Sequence, residues 1–349
     1  MSQNILITGG SGYLGGTLLA CWKDADLPPY KKAFAAVRTE QQAEQIKNYN
    51  LIPIILDMED ESIVRKAIID NEITTIFFLV DALGSRKQVI MIEALAEVKE
   101  KLGREVHFLH TTGAKMFSSH VGHPTNKPLL DTDPKVYDIQ KESRGPFNIM
   151  NQALQTNNIV IETSENHGVR SYIFVPCIVY GEGRGFGNKI SIQTVAIVQA
   201  AKALRRVYKT RSDNPTWPVC HVIDNAALYL QILCHILADE EIGFGKQGYY
   251  LASPGSVAWD DLYSAIAKAL AKRNVVDDEH VKEADGEALQ KMGQALKCNP
   301  DIVPVLLSGC CTFTGVHGKE IGWKPQFEAK HILGAAEAEV ELILKHMKG

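Results

Sequence analysis

The sequence lacks any apolar segment close to the roughly 20 residues that a membrane-spanning helix needs. It also lacks a basic stripe, because its basic residues cluster only in pairs such as Lys31-Lys32 and Arg205-Arg206. The formal net charge is −4. We therefore expect neither a membrane nor a nucleic-acid partner. The first predicted strand begins by Asn4, which leaves no room for a signal or transit segment, and a cytoplasmic location is expected.

Cysteine is present, but not in a pattern that binds metal or builds a disulfide framework. The seven cysteines are Cys21, Cys177, Cys220, Cys234, Cys298, Cys310 and Cys311. Their number is odd, their spacing is irregular, and no two form a C-x-x-C pair. The expectation is seven reduced thiols and no metal site.

The first half of the chain alternates apolar runs with segments of helical periodicity. Such alternation is typical of a parallel sheet with crossover helices. The predicted strands are 5–8, 33–37, 52–56, 75–80, 106–110 and 172–176. The later residues mostly predict helices and loops. The fold class expected is α/β, a Rossmann-type doubly wound parallel sheet with a smaller C-terminal substrate-binding lobe.

A glycine-rich turn follows the first predicted strand directly. Gly9, Gly12 and Gly15 come after the apolar run 5–7 and open a helical segment. A tight strand-to-helix turn and close approach to a pyrophosphate both require residues without a Cβ. The helix N-terminus then faces the anion. The candidate residues for binding a dinucleotide here are Thr8, Gly9, Ser11, Gly12, Tyr13, Leu14 and Gly15.

Four later segments, together with this turn, carry a family resemblance. They are 175–181 (VPCIVYG), 221–227 (HVIDNAA), 248–253 (GYYLAS) and 321–325 (IGWKP). In this order they resemble the extended branch of the short-chain dehydrogenase/reductases, which includes NAD-dependent epimerases and dehydratases. The resemblance implies NAD or NADP as cofactor. It implies a dinucleotide-binding domain at 1–180, with 217–250 returning to it, and a substrate-binding lobe at 181–216 and 251–349.

The family's catalytic Y-x-x-x-K pattern is matched by Tyr137 and Lys141. Residues i and i+4 share one helix face, so the ammonium is expected to lower the pKa of the phenol. Tyr137 is thus predicted as acid/base, while Lys141 tunes it and holds the nicotinamide ribose. Thr112, after the fifth strand, is predicted to orient the substrate oxygen, with Thr111 as the alternative.

A break between Lys141 and the next helix is also predicted. The segment 144–146 (RGP) should interrupt a helix. This leaves open that Tyr137 and Lys141 lie on a short helix or loop ahead of the main one.

The choice between NAD and NADP depends on the residue at the end of the second predicted strand. Arg38 follows Val37, where NAD-specific members of the family carry an acidic residue, and a guanidinium suits the extra phosphate of NADP. NADP is therefore preferred over NAD. By resemblance, Asp57 and Met58 contact the adenine. The remaining residues assigned to the cofactor by resemblance are Val80 and Pro176.

The predicted class of substrate depends on Trp217. Trp217 occupies the place where nucleotide-sugar enzymes of the family commonly carry an arginine for the diphosphate, and with Phe186 it is predicted to wall an apolar pocket. The prediction is an NADP-dependent reductase of a small, largely apolar ketone or aldehyde. A nucleotide-sugar epimerase or dehydratase with bound NAD, and a non-catalytic NADP-binding sensor or scaffold, stay open. A homodimer through helices near 87–101 and 151–166 is also predicted, with Val89, Ile92 and Leu95 either at that interface or facing the sheet.

Overall fold

The computed structural model describes residues 3–347 of the chain. The strands in this range are β1 (Asn4–Ile7), β2 (Lys32–Val37), β3 (Ile52–Ile55), β4 (Thr75–Phe78), β5 (His107–Thr111), β6 (Leu129–Leu130), β7 (Arg170–Val175), β8 (Ile178–Tyr180), β9 (Tyr208–Lys209), β10 (Thr216–His221), β11 (Tyr249–Leu251), β12 (Gly255–Ala258), β13 (Lys282–Glu283) and β14 (Phe313–Thr314).

Helices connect most of these strands. They are α1 (Tyr13–Trp22), α2 (Glu40–Lys47), α3 (Glu61–Asp70), α4 (Arg86–Leu102), α5 (Val136–Glu142), α6 (Asn148–Asn166), α7 (Gln193–Leu204), α8 (Val222–Leu237), α9 (Trp259–Ala271), α10 (Gly286–Leu296), α11 (Val303–Leu307), α12 (His317–Glu320), α13 (His331–Gly334) and α14 (Ala336–His346). Short 3₁₀ turns occur at Ala114–Phe117, Ser119–Val121, Gly245–Gln247 and Pro300–Ile302.

Seven strands form one parallel sheet in the order β11-β7-β5-β4-β1-β2-β3. The strand order reverses between β1 and β4, so the connections leave these two strands in opposite directions. Ligands of doubly wound sheets bind at the carboxyl ends of the strands that flank this reversal. The Rossmann-type fold predicted from the sequence is confirmed.

Burial on both faces explains why the sheet forms where the sequence is continuously apolar. Ile5, Leu6 and Ile7 are completely buried at its centre, and burial of each such side chain is worth about 1.5–3 kcal/mol. Helix α1 packs beside α8, while α4 packs between α3 and α6. On α4, Ile92 and Leu95 are buried within the single chain.

A second part of the molecule lies beyond the carboxyl edge of the sheet. Strand β10 pairs in parallel with β8 and antiparallel with β12, in a separate three-stranded sheet. Helix α7 packs against α10, and α9 against α14. Strand β11 returns to the central sheet, where it pairs with β7.

Three further properties concern the whole described range. None of the helices in residues 3–347 has the length and apolar character of a transmembrane segment. The seven cysteines are all free thiols. No cluster of three or more potential metal-ligating side chains occurs in the same range.

Candidate functional site

The turn between β1 and α1 brings the backbone into close contact with itself. A Cβ on Gly15 would lie 2.3 Å from the carbonyl oxygen of Gly9. Gly9 has a φ of 73°, a conformation that residues with a side chain rarely adopt. Gly12 precedes α1 without a side-chain capping hydrogen bond. Gly12 provides no side chain that could cap α1. The backbone amides in the first turn of α1 are therefore left to bind an anion.

A cavity of about 820 Å³ adjoins this turn at the carboxyl ends of β1 to β4, and we call it the turn cavity. It is lined by Thr8, Gly9, Gly10, Ser11, Gly12, Ala36, Val37, Arg38, Gln42, Ile55, Leu56, Asp57, Met58, Glu59, Leu79, Val80 and Lys87. Eight of the residues predicted to bind a cofactor thus line one cavity. Gly15 lies behind it, against Gly9.

Charged groups are unevenly placed around the turn cavity. Arg38 is exposed at the end of β2, where its backbone N–H donates to the side chain of Gln42 over 2.9 Å. Lys87 is paired with Glu59 over 2.6 Å. The Asp57 carboxylate accepts from the backbone N–H of Glu59 at 3.0 Å. The positive charge of Arg38 therefore lies at the end of β2, whereas the carboxylates of Asp57 and Glu59 lie just after β3.

A second cavity of about 200 Å³, the inner cavity, lies on the other side of the turn, where β5 and β7 end. Its lining residues are Tyr13, Leu14, Thr112, Gly113, Ala114, Lys115, Met116, Pro176, Cys177, Val179, Ser191, Ile192, Gln193 and Trp217. Gly12 lines the turn cavity and Tyr13 lines the inner cavity. The two cavities therefore flank the same turn, one on each side.

The two threonines after β5 have different environments. The Thr112 hydroxyl is buried and has no hydrogen-bond partner among the described residues. The Thr111 hydroxyl lies 2.7 Å from the hydroxyl of Tyr229. An unpartnered buried hydroxyl at a cavity wall is available to a ligand oxygen. Of the two alternatives that the sequence left open, Thr112 is the one that faces the inner cavity.

Lys115 also lines the inner cavity, and it is not among the site residues predicted from the sequence. It lies on the 3₁₀ turn Ala114–Phe117, three residues after Thr112. Its Nζ makes a long contact of 3.5 Å with the carbonyl oxygen of Leu306. Burial lowers the pKa of Lys115 to about 8. The available signal in the sequence was its closeness to Thr112 in the loop after β5.

Tyr137 and Lys141 lie together, as their spacing predicts, but on α5 and apart from both cavities. The Tyr137 hydroxyl donates to Glu162 on α6 over 2.5 Å. Lys141 Nζ lies 3.3 Å from that hydroxyl and 2.7 Å from the same carboxylate. Lys246 Nζ lies 4.9 Å from the centre of the Tyr137 ring. Neither Tyr137 nor Lys141 lines the turn cavity or the inner cavity.

The sequence model of the NAD dependent epimerase/dehydratase family matches residues 5–243. The match covers the glycine-rich turn, the central sheet up to β7 and the strands that carry the inner cavity. The chain belongs to the NAD-dependent epimerase/dehydratase family. No curated protein matches the sequence.

Solved structures with the same fold include several enzymes of this family. UDP-glucose 4-epimerase of Thermotoga maritima, solved with UDP-glucose, is 15% identical with a TM-score of 0.63, covering 99% of this chain and 100% of its own. UDP-glucose 4-epimerase of Bifidobacterium longum, solved with NAD⁺ and UDP, is 15% identical with a TM-score of 0.63 and covers 99% of each chain. A partial-consensus L-threonine 3-dehydrogenase is 14% identical with a TM-score of 0.60, covering 97% of this chain and 99% of its own.

As a member of the epimerase/dehydratase family, the chain departs from the expected arrangement at its catalytic helix. Residues 144–146 separate α5 from α6, as the sequence predicted. The long helix α6 carries no tyrosine and no lysine. Tyr137 and Lys141 therefore lie on the separate short helix α5, which packs against α6, and neither lines the inner cavity.

Lys141 acts on the pKa of Tyr137 in the expected direction, but the net shift of that pKa is upward. Burial, followed by the hydrogen bond to Glu162, raises the pKa of Tyr137, and the opposite influence of Lys141 is smaller. The same hydrogen bond to Glu162 raises the pKa of Lys141. The pair thus keeps a neutral phenol beside a fixed ammonium.

The two residues predicted to wall the substrate pocket lie in different places. Trp217 is buried and lines the inner cavity, with its ring 5.8 Å from that of Trp259. Phe186 packs against Tyr49, with 6.2 Å between the ring centres, and lines neither cavity. The loop that carries Phe186 turns it away because Gly185 and Gly187 lie against the backbone of α1 and the glycine-rich turn.

Proposed function

We propose that this chain is an NADP(H)-dependent oxidoreductase that reduces a ketone or aldehyde of a small, largely apolar molecule. The observation that carries the proposal is the inner cavity: about 200 Å³ in volume, walled by side chains such as Leu14 and Trp217, with the unpartnered Thr112 hydroxyl in its wall. A space of this size suits a small reacting group. A hydroxyl donor there polarises a carbonyl oxygen.

The turn cavity supports a dinucleotide as cofactor. The cradle at Gly9 and Gly15, the uncapped start of α1 and the adjoining volume fit a pyrophosphate and its nucleoside. Such a cofactor supplies the hydride when bound. The choice of NADP rests on Arg38, whose planar guanidinium matches a 2′-phosphate. The Bifidobacterium longum epimerase was solved with NAD⁺, so the choice needs a direct test.

The test compares the two cofactors on purified protein. Loss of NADPH absorbance is measured with a panel of small apolar aldehydes and ketones, and dissociation constants for NADPH and NADH are measured by fluorescence. We expect Arg38→Ala to weaken NADPH binding about tenfold or more, the loss of roughly one charge-assisted contact, with little change for NADH. Arg65→Ala is the control, because Arg65 pairs with Glu93 on the outer helices and lines neither cavity. Equal affinity for NADH and NADPH in the wild type would contradict the NADP assignment.

A nucleotide-sugar epimerase or dehydratase is the second candidate, favoured by the fold of the solved relatives. Against it, the arginines nearest to β10 in sequence are engaged with carboxylates of their own. Arg211 forms two hydrogen bonds with Asp213. The others are Arg205, paired with Asp277, and Arg206, paired with Asp278. Release of tightly held NAD on denaturation, with conversion of a UDP-sugar, would favour this candidate over the reductase.

A non-catalytic dinucleotide-binding protein is the third candidate, and the absence of tyrosine and lysine from α6 favours it. The same panel of aldehydes and ketones distinguishes this candidate from the reductase. Binding of NADPH with no oxidation by any member of the panel would support this candidate and overturn the reductase.

A further inference from the structure

The inner cavity contains few groups that can deliver a proton. The Tyr13 hydroxyl is occupied, because it donates to the carbonyl oxygen of Gly181 over 2.6 Å. The Ser191 hydroxyl lies 2.5 Å from that of Thr194, which donates to the buried carboxylate of Glu339. The Cys177 thiol donates to the carbonyl oxygen of Ala252 over 3.2 Å. Among the lining residues that carry an ionisable group or a hydroxyl, Thr112 and Lys115 are the remaining candidates.

Thr112 and Lys115 differ in how they can serve a reaction. A threonine hydroxyl does not titrate in the neutral range, so it can orient an oxygen but is a poor source of a proton. An ammonium group carries three donors and no acceptor. The one contact of Lys115 Nζ in the described residues is the 3.5 Å approach to Leu306. Donors of Lys115 thus remain for a molecule in the cavity.

We infer that Lys115, rather than a tyrosine, exchanges the proton with the substrate oxygen in the inner cavity. This inference rests on the proposed reductase function. The substrate carbonyl carbon accepts a hydride from the reduced nicotinamide of NADPH, and the carbonyl oxygen takes a proton from the Lys115 ammonium. The products are an alcohol, NADP⁺ and a neutral amine at Lys115, which regains a proton from water. Thr112 donates a hydrogen bond to the same oxygen and orients it.

The titratable groups around Lys115 should not change their charge near neutral pH, so Lys115 is expected to titrate independently of them. The titratable groups near it are Tyr13 and Cys177 in the cavity wall, Cys311, whose thiol contacts the carbonyl of Ala114, and His120. Burial raises the pKa of Tyr13 and of both thiols, and lowers that of His120. These four groups are therefore uncharged at neutral pH. No carboxylate is paired with Lys115 in the described part of the chain.

The pKa of Lys115 predicts how the rate of each reaction direction should change with pH. Burial lowers the pKa of Lys115 to about 8, close to the working pH at which a general acid is most effective. Carbonyl reduction needs the ammonium, so its rate falls as the pH rises through this pKa. Alcohol oxidation needs the free amine, so its rate rises over the same interval.

The experiment combines three variants with a measurement that needs no turnover. Lys115→Met removes the proton, Lys115→Arg keeps a charge that does not titrate, and Lys202→Met is the control on the exposed side of α7. We measure kcat for NADPH oxidation with the best substrate of the carbonyl panel, and the dissociation constant for NADPH. The extent of acetylation of Lys115 is followed against pH by mass spectrometry in cofactor-free protein.

The expected result is a separation of catalysis from binding. Lys115→Met lowers kcat about 100-fold or more, the usual contribution of general acid catalysis, while the dissociation constant for NADPH changes less than about threefold. Lys115→Arg loses the fall in rate near pH 8, and Lys202→Met behaves as the wild type. Half-maximal acetylation of Lys115 occurs near pH 8, well below the value of about 10.4 for an exposed lysine.

The outcomes distinguish a failure of the role assigned to Lys115 from a failure of the reductase function. An active wild type with an equally active Lys115→Met overturns the role of Lys115 and leaves the reductase function standing. Weaker NADPH binding without a loss of kcat makes Lys115 a cofactor contact and also overturns it, as does an acetylation midpoint near pH 10. A wild type that reduces no carbonyl compound overturns the reductase function itself.

Discussion

The molecule contains two pairs of a lysine and a hydroxyl group, and their environments are opposite. Thr112 and Lys115 face the inner cavity, where the hydroxyl has no partner and the lysine makes one long contact. Tyr137 and Lys141 lie between α5 and α6, where both bind the Glu162 carboxylate. The first pair has unsatisfied donors at a cavity, and the second has its donors satisfied by the protein.

This contrast shows that the surroundings, rather than the residue types, set the protonation states. Burial without a counter-charge lowers the pKa of Lys115, whereas the carboxylate of Glu162 raises the pKa of Lys141. A lysine that can lose its proton near neutral pH is suited to proton transfer. A lysine held by a carboxylate is suited to fixing the position of a helix.

The sharpest test that separates the two threonines is Thr112→Val, for which a large effect is expected. The catalytic efficiency should fall about 100-fold, the loss of one hydrogen-bond donor to a developing oxyanion. The free energy of unfolding should stay the same or rise, because the hydroxyl removed has no partner in the described residues. Steady-state kinetics and urea unfolding measure the two effects.

Thr111→Val is the matched control and should give the reverse pattern. Its hydroxyl lies 2.7 Å from that of Tyr229, so the variant should lose about 1 kcal/mol of stability, the net value of one hydrogen bond. The catalytic efficiency should stay close to that of the wild type. If Thr111→Val were the inactive variant and Thr112→Val the unstable one, the assignment of the two threonines would be inverted.

The fold and the glycine-rich turn could be predicted from the sequence because the information is local. The apolar run of β1, the spacing of Gly9, Gly12 and Gly15, and the helix that follows are contiguous, and each constrains the backbone directly. The interruption at 144–146 was predictable for the same reason, since proline and glycine act on their own neighbourhood.

The surroundings of the two lysine–hydroxyl pairs could not be predicted in this way, because they depend on contacts made far along the chain. Glu162 and Lys246, which surround Tyr137, are on other elements. Trp217 lines the cavity beside Lys115, and the Lys115 Nζ approaches the carbonyl oxygen of Leu306. A Y-x-x-x-K spacing places two side chains on one helix face, but it does not determine what that face packs against.

A direct test of the outer pair is Tyr137→Phe, for which the expected effect on activity is small. The phenol binds Glu162 and lines neither cavity, so kcat should stay within about twofold of the wild type. Loss of its hydrogen bond should cost about 1 kcal/mol of stability, measured by urea unfolding. A fall in kcat of about 100-fold without a change in fold would restore the role that the Y-x-x-x-K pattern predicted and break the contrast between the two pairs.

The smallest expected effect is the pH dependence of the contribution of Glu162 to stability. Hydrogen bonds from Lys141 and then Tyr137 lower the pKa of Glu162, so its contribution is present above the ordinary glutamate pKa and is lost as the pH falls through the lowered value. The urea midpoints of the wild type and Glu162→Gln should therefore differ at pH 7 and converge in acid. Added salt should shrink the difference, because the ion pair is largely exposed, with 58% of the Lys141 side chain and 41% of the Glu162 side chain accessible. The acetylation midpoint of Lys115 should not respond to salt in this way, because burial rather than an ion pair sets its pKa. A salt-sensitive Lys115 and a salt-insensitive Glu162 would reverse the electrostatic distinction between the two pairs.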